Sequence, residues 1–385
     1  MEYDVIVVGA GPCGMLLAHR LGLLGLTCLL LEKRGEEALA GPSMAIGIMP
    51  PSLRILAECG LSETVEAAGC PVRLARVFEG RSEGGTVDFG TLPPPFDHVL
   101  TLPQTLFVRL MRQALDARPG VEMQMGREVV AIEQDNTQVR VLVRDAATGD
   151  QGRYTARFAA VCEGSRGVLR PLLGLPRFGR HYAVSFAMAD FPDDTGWPRE
   201  ARLTFTTSGA VESFPLPEGK RRWIVQAPPA TASVELLAAR VEAATAIRLS
   251  SRDAEWFSSF TPERGLCSRW HAGRVALCGD AAHVMSPIGG QGMNTGLADA
   301  WHLGTTLQAL CSGSVEIPRA WTAYEHARKR AFAAAANRAA AGMWLGTRRG
   351  AIASGLRGAL LAGTLQTPCL ARRLPAHFAM LTLPQ

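Results

Sequence analysis

The chain has 385 residues, of which 47% are hydrophobic, 19% charged and 6% aromatic, the profile of a globular protein and not of a disordered one. Its net charge of +5 is modest, and Lys and Arg are scattered singly or in short groups such as Lys220-Arg221-Arg222 and Arg372-Arg373, which does not point to nucleic-acid binding. Nine cysteines, at positions 13, 28, 59, 70, 162, 267, 278, 311 and 369, form no C-x-x-C pair and have no His partners at metal-ligand spacing; this argues against a metal site or a disulfide framework and for free thiols in a reducing cytoplasm.

The chain enters a strand at once, without the basic region, apolar stretch and cleavage site of a signal peptide. Apolar runs near the C-terminus are interrupted by Arg348, Arg349 and Arg357, so no transmembrane segment is expected. The length exceeds that of a usual single domain, and two intertwined domains are the default.

Tyr3–Val8 is a continuous apolar run of strand length, followed directly by Gly9-Ala10-Gly11-Pro12-Cys13-Gly14. A helix pattern over Met15–Leu24 and a second strand over Thr27–Leu31, ending in Glu32, complete a Gly-x-Gly-x-x-Gly turn in the setting of a dinucleotide site. Gly9 permits the tight turn, Gly11 lets a pyrophosphate approach the backbone, Gly14 allows close packing, and Glu32 stands where ribose hydroxyls are bound. A helix is expected over Ser52–Cys59 after Pro50-Pro51, and another over Gln104–Ala117. Glu128–Glu133, Val139–Arg144 and Tyr154–Val161 read as a small antiparallel ribbon, and Val184–Phe191, Arg202–Thr206, Val211–Phe214 and Arg222–Gln226 as a second antiparallel sheet. Helices are expected over Ala232–Leu249 and Pro318–Leu345, with Thr364–Gln385 packing as a last helix or covering a pocket.

Two further stretches carry chemistry. Val161 to Arg170 reads strand, acidic turn at Glu163-Gly164, helix start. Gly273 to Ala300 combines a short strand (Val275–Cys278), Gly279-Asp280, a loop rich in Pro and Gly (Pro287–Gly292) and a helix starting near Asn294. An Asp at the end of a strand can accept hydrogen bonds from sugar-like hydroxyls, and a helix amino terminus after glycines offers free N–H groups and a positive dipole end.

With these stretches in place the sequence resembles the single-component FAD-dependent aromatic hydroxylases, monooxygenases with the fold of para-hydroxybenzoate hydroxylase. Gly9–Gly14 with Glu32 looks like the ADP-binding turn, Glu163-Gly164 through Arg170 is similar to an Asp-Gly motif, with Glu163 in place of the usual Asp, and Gly279-Asp280 through Gly296 matches the Gly-Asp flavin motif. The resemblance implies an α/β fold: a Rossmann-like FAD-binding domain (1–72, 103–180 and 265–310), a parallel sheet with an inserted antiparallel ribbon, interleaved with an antiparallel substrate domain (73–102 and 181–264) and a helical region at 311–385. It implies FAD held by Gly9, Gly11, Pro12, Gly14, Glu32, Arg34, Gln104, Glu163, Asp280, Pro287, Gly290, Gly292, Met293 and Asn294. Asp280 would meet the ribityl chain, and the Met293 and Asn294 backbone the pyrimidine edge of the ring. Met44 stands near where many members carry an arginine.

The activity implied is hydroxylation of an aromatic or polycyclic small molecule with NADPH or NADH and molecular oxygen, by way of a flavin C4a-hydroperoxide. Baeyer–Villiger insertion, N-hydroxylation, dehydrogenation and a non-catalytic flavin-binding role are the alternatives on the same fold. His98, His181, Tyr182, Arg202 and Glu212 lie in or beside the expected substrate sheet and could orient or deprotonate a phenol, with a structural role as the plain alternative for each. His283 is expected to support the flavin loop.

Overall fold

The computed structural model describes residues 2–35 and 45–384. Val5–Val8 are fully enclosed because Tyr3–Val8 pairs in parallel with Cys28–Glu32 on one side and with Gln151–Val161 on the other, and a strand covered on both faces has no use for alternation. The main sheet runs His271–Ala272, Val275–Leu277, Gln151–Val161, Tyr3–Val8, Cys28–Glu32, Val121–Met125. Gln151–Val161 serves twice. Its first half pairs antiparallel with Val139–Asp145, while its second half pairs in parallel with Tyr3–Val8 and Val275–Leu277, so the expected ribbon is continuous with the main sheet. The helices Pro12–Leu23, Gln104–Leu115 and Gln291–Cys311 pack together over this sheet.

A second sheet of seven strands is ordered Trp256–Phe260, Phe186–Pro192, Lys220–Gln226, Gly209–Leu216, Ala201–Thr206, Leu74–Glu79, Ser82–Asp88. All its pairings are antiparallel except that of Ala201–Thr206 with Leu74–Glu79. One face is sealed by the Val234–Thr245 helix, where Leu237 and Val241 pack on Ala187, Ala189, Phe191, Val211, Trp223 and Val225. Because successive side chains alternate, Met188, Ile224, Glu212 and Phe214 lie on the other face. Part of that face is covered by the Ala351–Gln366 helix, whose Leu361 and Leu365 pack on Val77 and Phe205 and whose buried Arg357 pairs with Glu79 at 2.8 Å.

Several helices differ from the sequence reading, and the tail expected as one last helix over Thr364–Gln385 holds the short helices Pro368–Ala371 and Leu374–Phe378. Pro50–Glu58 includes both prolines in its first turn, where a missing N–H costs no helical hydrogen bond. The helix expected over 232–249 spans Val234–Thr245, capped by Ser233 Oγ accepting from Leu236 N and stopped by Ala246 in the left-handed region (φ 64°). The long helix Ile317–Thr347 ends at Arg348, Gly350 turns the chain at φ 92°, and a separate helix over Ala351–Gln366 follows where no helix start was read. Among the described residues no helix is long and apolar enough to cross a membrane.

A small sheet of Gly47–Ile48, Val99–Thr101 and Cys70–Val72 lies between the two larger ones. The Thr101 hydroxyl donates to the Pro215 carbonyl of the seven-stranded sheet, at 2.5 Å.

Candidate cofactor and active site

The chemistry-bearing motifs meet at the carboxyl edge of the parallel strands, where ligands of such sheets bind. Gly9 follows Val8, Glu32 closes its strand, Glu163 follows Val161-Cys162, and Asp280 follows Leu277-Cys278-Gly279. The three glycines of the first turn have different reasons to be glycine. Gly9 has φ 101°, and a Cβ there would lie 2.6 Å from the Cys162 carbonyl oxygen; a Cβ on Gly14 would lie 1.8 Å from the Gly9 oxygen. At Gly11 a Cβ would meet nothing within 4 Å, and φ is an ordinary −73°. The protein itself does not demand glycine at Gly11, so the open space in front of it fits a group brought from outside.

Glu32 is buried and accepts hydrogen bonds from Ala10 N at 2.8 Å and from Arg34 N and Nε at 3.0 and 2.8 Å. Burial opposes its charge, but Arg34 and the two backbone N–H groups outweigh it and hold the carboxyl below its usual range. Pro12 takes the first position of its helix, and Gly11 provides no side-chain cap, which leaves the helix amino terminus uncapped.

Asp280 is the open acceptor of the site. Its side chain is exposed and has no hydrogen-bond partner among the described residues, yet dehydration by the surrounding protein raises its pKa, against the pull of His283 and Arg177. A second uncapped helix amino terminus stands beside it. Gln291–Cys311 begins after Gly290 (φ 65°) with no side-chain cap, so the N–H groups of Gln291, Gly292 and Met293 have no acceptor within the helix. Pro287 and Gly289 are exposed and Gly290, Gly292 and Met293 partly so, while the Gln291 side-chain oxygen is buried with no hydrogen-bond partner among the described residues.

Asn294 is buried, and its side chain does more than its expected backbone role. Its Oδ1 accepts from Met49 N at 2.8 Å, and its Nδ2 donates to Gly47 O at 2.9 Å and Gly290 O at 2.7 Å. One amide thereby ties the helix start to the small sheet. Gln104 sits at the first position of its helix, with its backbone N–H on Ala45 O at 3.2 Å. Glu163 accepts from Leu169 N at 3.0 Å and so caps the short helix Leu169–Leu172; burial raises its pKa despite that bond. Met44 lies outside the described residues.

The five substrate-side candidates are not brought together. Arg202 pairs with Ser213 in register and therefore lies on the helix-sealed face, bound to Glu200 at 2.6 Å and stacked 3.8 Å from the Trp197 ring centre. Glu212, one register step away opposite Leu203, lies on the opposite face. His98 is buried, 3.3 Å from both Asp97 and Glu66. His181 ends the Arg177–His181 strand, exposed, with Tyr182 beside it half-buried. The sequence reading did not single out Asp299 and Arg328, which form with His283 a buried network under the Asp280 turn. An acid in one helix and an arginine in the next carry no local signal of their pairing.

Comparison with known proteins agrees with this geometry. Residues 2–339 match the family described as FAD binding domain. The chain belongs to this FAD-binding family. It is similar to rifampicin monooxygenase of Streptomyces venezuelae, 32% identical over 323 residues, which are 81% of this chain and 65% of that protein. The 12-dehydrotetracycline 5-monooxygenase/anhydrotetracycline 6-monooxygenase of Streptomyces rimosus is 31% identical over 358 residues, 86% of this chain and 67% of that protein. The chain thus spans about two thirds of the length of these curated relatives. Among solved structures, the anhydrotetracycline hydroxylase from Streptomyces rimosus superposes with a TM-score of 0.82 at 28% identity, covering 100% of this chain and 77% of that one. A p-nitrophenol 4-monooxygenase from Pseudomonas putida shares the fold, with a TM-score of 0.89 at 21% identity over 100% of this chain and 99% of that one.

Proposed function

We propose that the protein is an FAD-dependent monooxygenase that uses NADPH or NADH and molecular oxygen to hydroxylate an aromatic or polycyclic small molecule. The observation that carries this reading is the convergence on one sheet edge of the open space at Gly11, the unpartnered Asp280 carboxylate and the uncapped amino terminus at Gly290–Met293. The naming of two relatives as monooxygenases of rifampicin and of tetracycline precursors supports a polycyclic substrate.

In this reading Gly9, Gly11, Pro12 and Gly14 hold the pyrophosphate with the uncapped helix start, and Glu32 with Arg34 holds the adenosine end. Gln104 and Glu163 flank the nucleotide, and Asp280 accepts hydrogen bonds from the ribityl hydroxyls. The loop from Pro287 and the N–H groups of Gly292, Met293 and Asn294 flank the ring, where the helix dipole favours negative charge without a charged side chain. When bound, the flavin supplies the electron transfer and oxygen activation. The share of the protein is to place the substrate carbon, exclude water and move a proton.

The test is turnover of the FAD-loaded protein with NADPH or NADH and a panel of phenols and aromatic polyketides under isotopically labelled dioxygen. One labelled oxygen atom in the product supports the reading. Flavin binding with no substrate-stimulated NAD(P)H oxidation across the panel contradicts it.

A further inference from the structure

Glu212 stands on the face of the seven-stranded sheet opposite the Val234–Thr245 helix. Its cross-strand neighbours are Leu203 and Ile224, both aliphatic, and alternation sets it on the face away from Val211 and the Val234–Thr245 helix. That face is joined to the cofactor edge by two routes. Phe205, the ladder partner of Ala210, backs onto Gly346, and Gly342, one turn earlier on that helix, backs onto Ile288 next to Pro287. On the other side Thr101 reaches the Pro215 carbonyl and pairs with Gly47, whose carbonyl accepts from Asn294. The Gly209–Leu216 strand and the loop between Asp280 and Asn294 are therefore tied to the same two elements, the long helix and the small sheet.

The charges around that strand are already committed. On the same face Arg222 is held by Asp190 through two contacts of 2.6 Å, and Arg357 by Glu79. In and beside the small sheet, Cys70 is a buried thiol and His98 faces Asp97 and Glu66. On the long helix Arg338 donates to the His377 carbonyl, and just past it Arg348 stacks on Trp344. No donor among the described residues reaches the Glu212 carboxyl, which is half-buried. Dehydration alone acts on its pKa, raising it to about 7. A carboxyl without a partner among aliphatic side chains costs the fold free energy that a leucine there would not.

The geometry points to the space between this strand and that loop as a substrate site, and to Glu212 as the group that receives the hydroxyl of a neutral phenolic substrate there. Its carboxylate accepts the phenol O–H and takes that proton: the O–H bond breaks, the proton passes to a carboxylate oxygen, and the electron pair stays on the phenolate oxygen, where it enriches the ring carbons. The same carboxylate turns away ligands that carry an anion at that position, because the arginines of this face already hold Asp190 and Glu79. The assignment rests on the monooxygenase reading for the use of the proton transfer, but not for the binding preference.

The experiment is calorimetric titration of the FAD-loaded protein at pH 8 with 2-naphthol, 2-methoxynaphthalene and 2-naphthoate. The wild type should bind the naphthol at least about tenfold tighter than its methyl ether and show no binding of the naphthoate. Glu212→Leu should retain FAD, bind naphthol and ether alike, and admit the naphthoate. In turnover of 2-naphthol the wild-type rate should rise with pH through about 7, and Glu212→Gln should be slow without that rise. Equal binding of naphthol and ether by the wild type, no binding of either, or an undiminished preference in Glu212→Leu would overturn the assignment. A chain that retains no FAD contradicts the monooxygenase reading instead, and the naphthol preference is then read on the FAD-free protein.

Discussion

His283 Nε2 lies 2.6 Å from an Asp299 carboxylate oxygen, and the other oxygen of that carboxylate is 2.7 Å from Arg328 Nε. The three side chains are buried and come from the turn after Asp280, the Gln291–Cys311 helix and the long helix packed against it. Burial opposes the charge on Asp299, but His283 and Arg328 outweigh it and keep the carboxyl below its usual range. The Asp280 turn is thereby fixed to both helices by one carboxylate.

Removing that carboxylate strands a buried guanidinium. Asp299→Ala should lose about 3–5 kcal/mol of stability in urea denaturation, because breaking a buried pair leaves its partner uncompensated. A loss below about 1 kcal/mol would show that Arg328 finds another partner.

Two glycines of the first turn should part company on substitution. Gly14→Ala forces a Cβ onto the Gly9 oxygen and should destabilise the fold by more than about 2 kcal/mol. Gly11→Ala enters open space at an ordinary φ, so its thermal stability without FAD should stay within about 0.5 kcal/mol of wild type while FAD affinity falls. Thermal melts with and without FAD check both.

His19 and Glu212 give opposite pH dependences that partly cancel in the wild type. His19 is fully buried, with Nε2 on the Met111 carbonyl at 2.8 Å, and burial lowers its pKa to about 4, against 6.5 in the unfolded chain. The unfolded chain takes the proton first as pH falls, so this histidine contributes stability that is lost between pH 6.5 and 4, by at most about 3 kcal/mol. Glu212 has the reverse sign. With its pKa raised from 4.5 to about 7, the unfolded chain ionises first and stability is lost as pH rises through that window, by no more than about 3 kcal/mol. His19→Gln should therefore become less stable as pH rises from 4.5 to 6.5, and Glu212→Gln more stable. Identical slopes in both variants and the wild type would contradict the assignment of these shifts.

The cofactor side of the site was legible because its signals are local. Gly9 to Gly14, Glu32 and Gly279-Asp280 each report backbone demands or a free acceptor within a few residues. The substrate side depends on register. Arg202 and Glu212 are equally polar residues of neighbouring strands, and only the pairing of Arg202 with Ser213 sends the arginine to the helix-sealed face and the glutamate to the opposite one. Nor does the His283–Asp299–Arg328 network have a sequence signature, since its members are joined by packing of two helices. The separate helix over Ala351–Gln366 was missed for another reason. Its small and apolar residues continue the composition of the preceding helix, and the break between them is confined to Arg348, Arg349 and Gly350.

The central claim is that this sheet edge binds FAD, with Asp280 as its open acceptor. Fluorescence titration of FAD into the flavin-free protein and its Asp280→Ala variant tests it most directly. The account predicts saturable binding of one FAD per chain, weakened about tenfold to a hundredfold in the variant through loss of hydrogen bonds to a charged acceptor. Absence of saturable FAD binding by the wild type, or unchanged affinity in the variant, would contradict it.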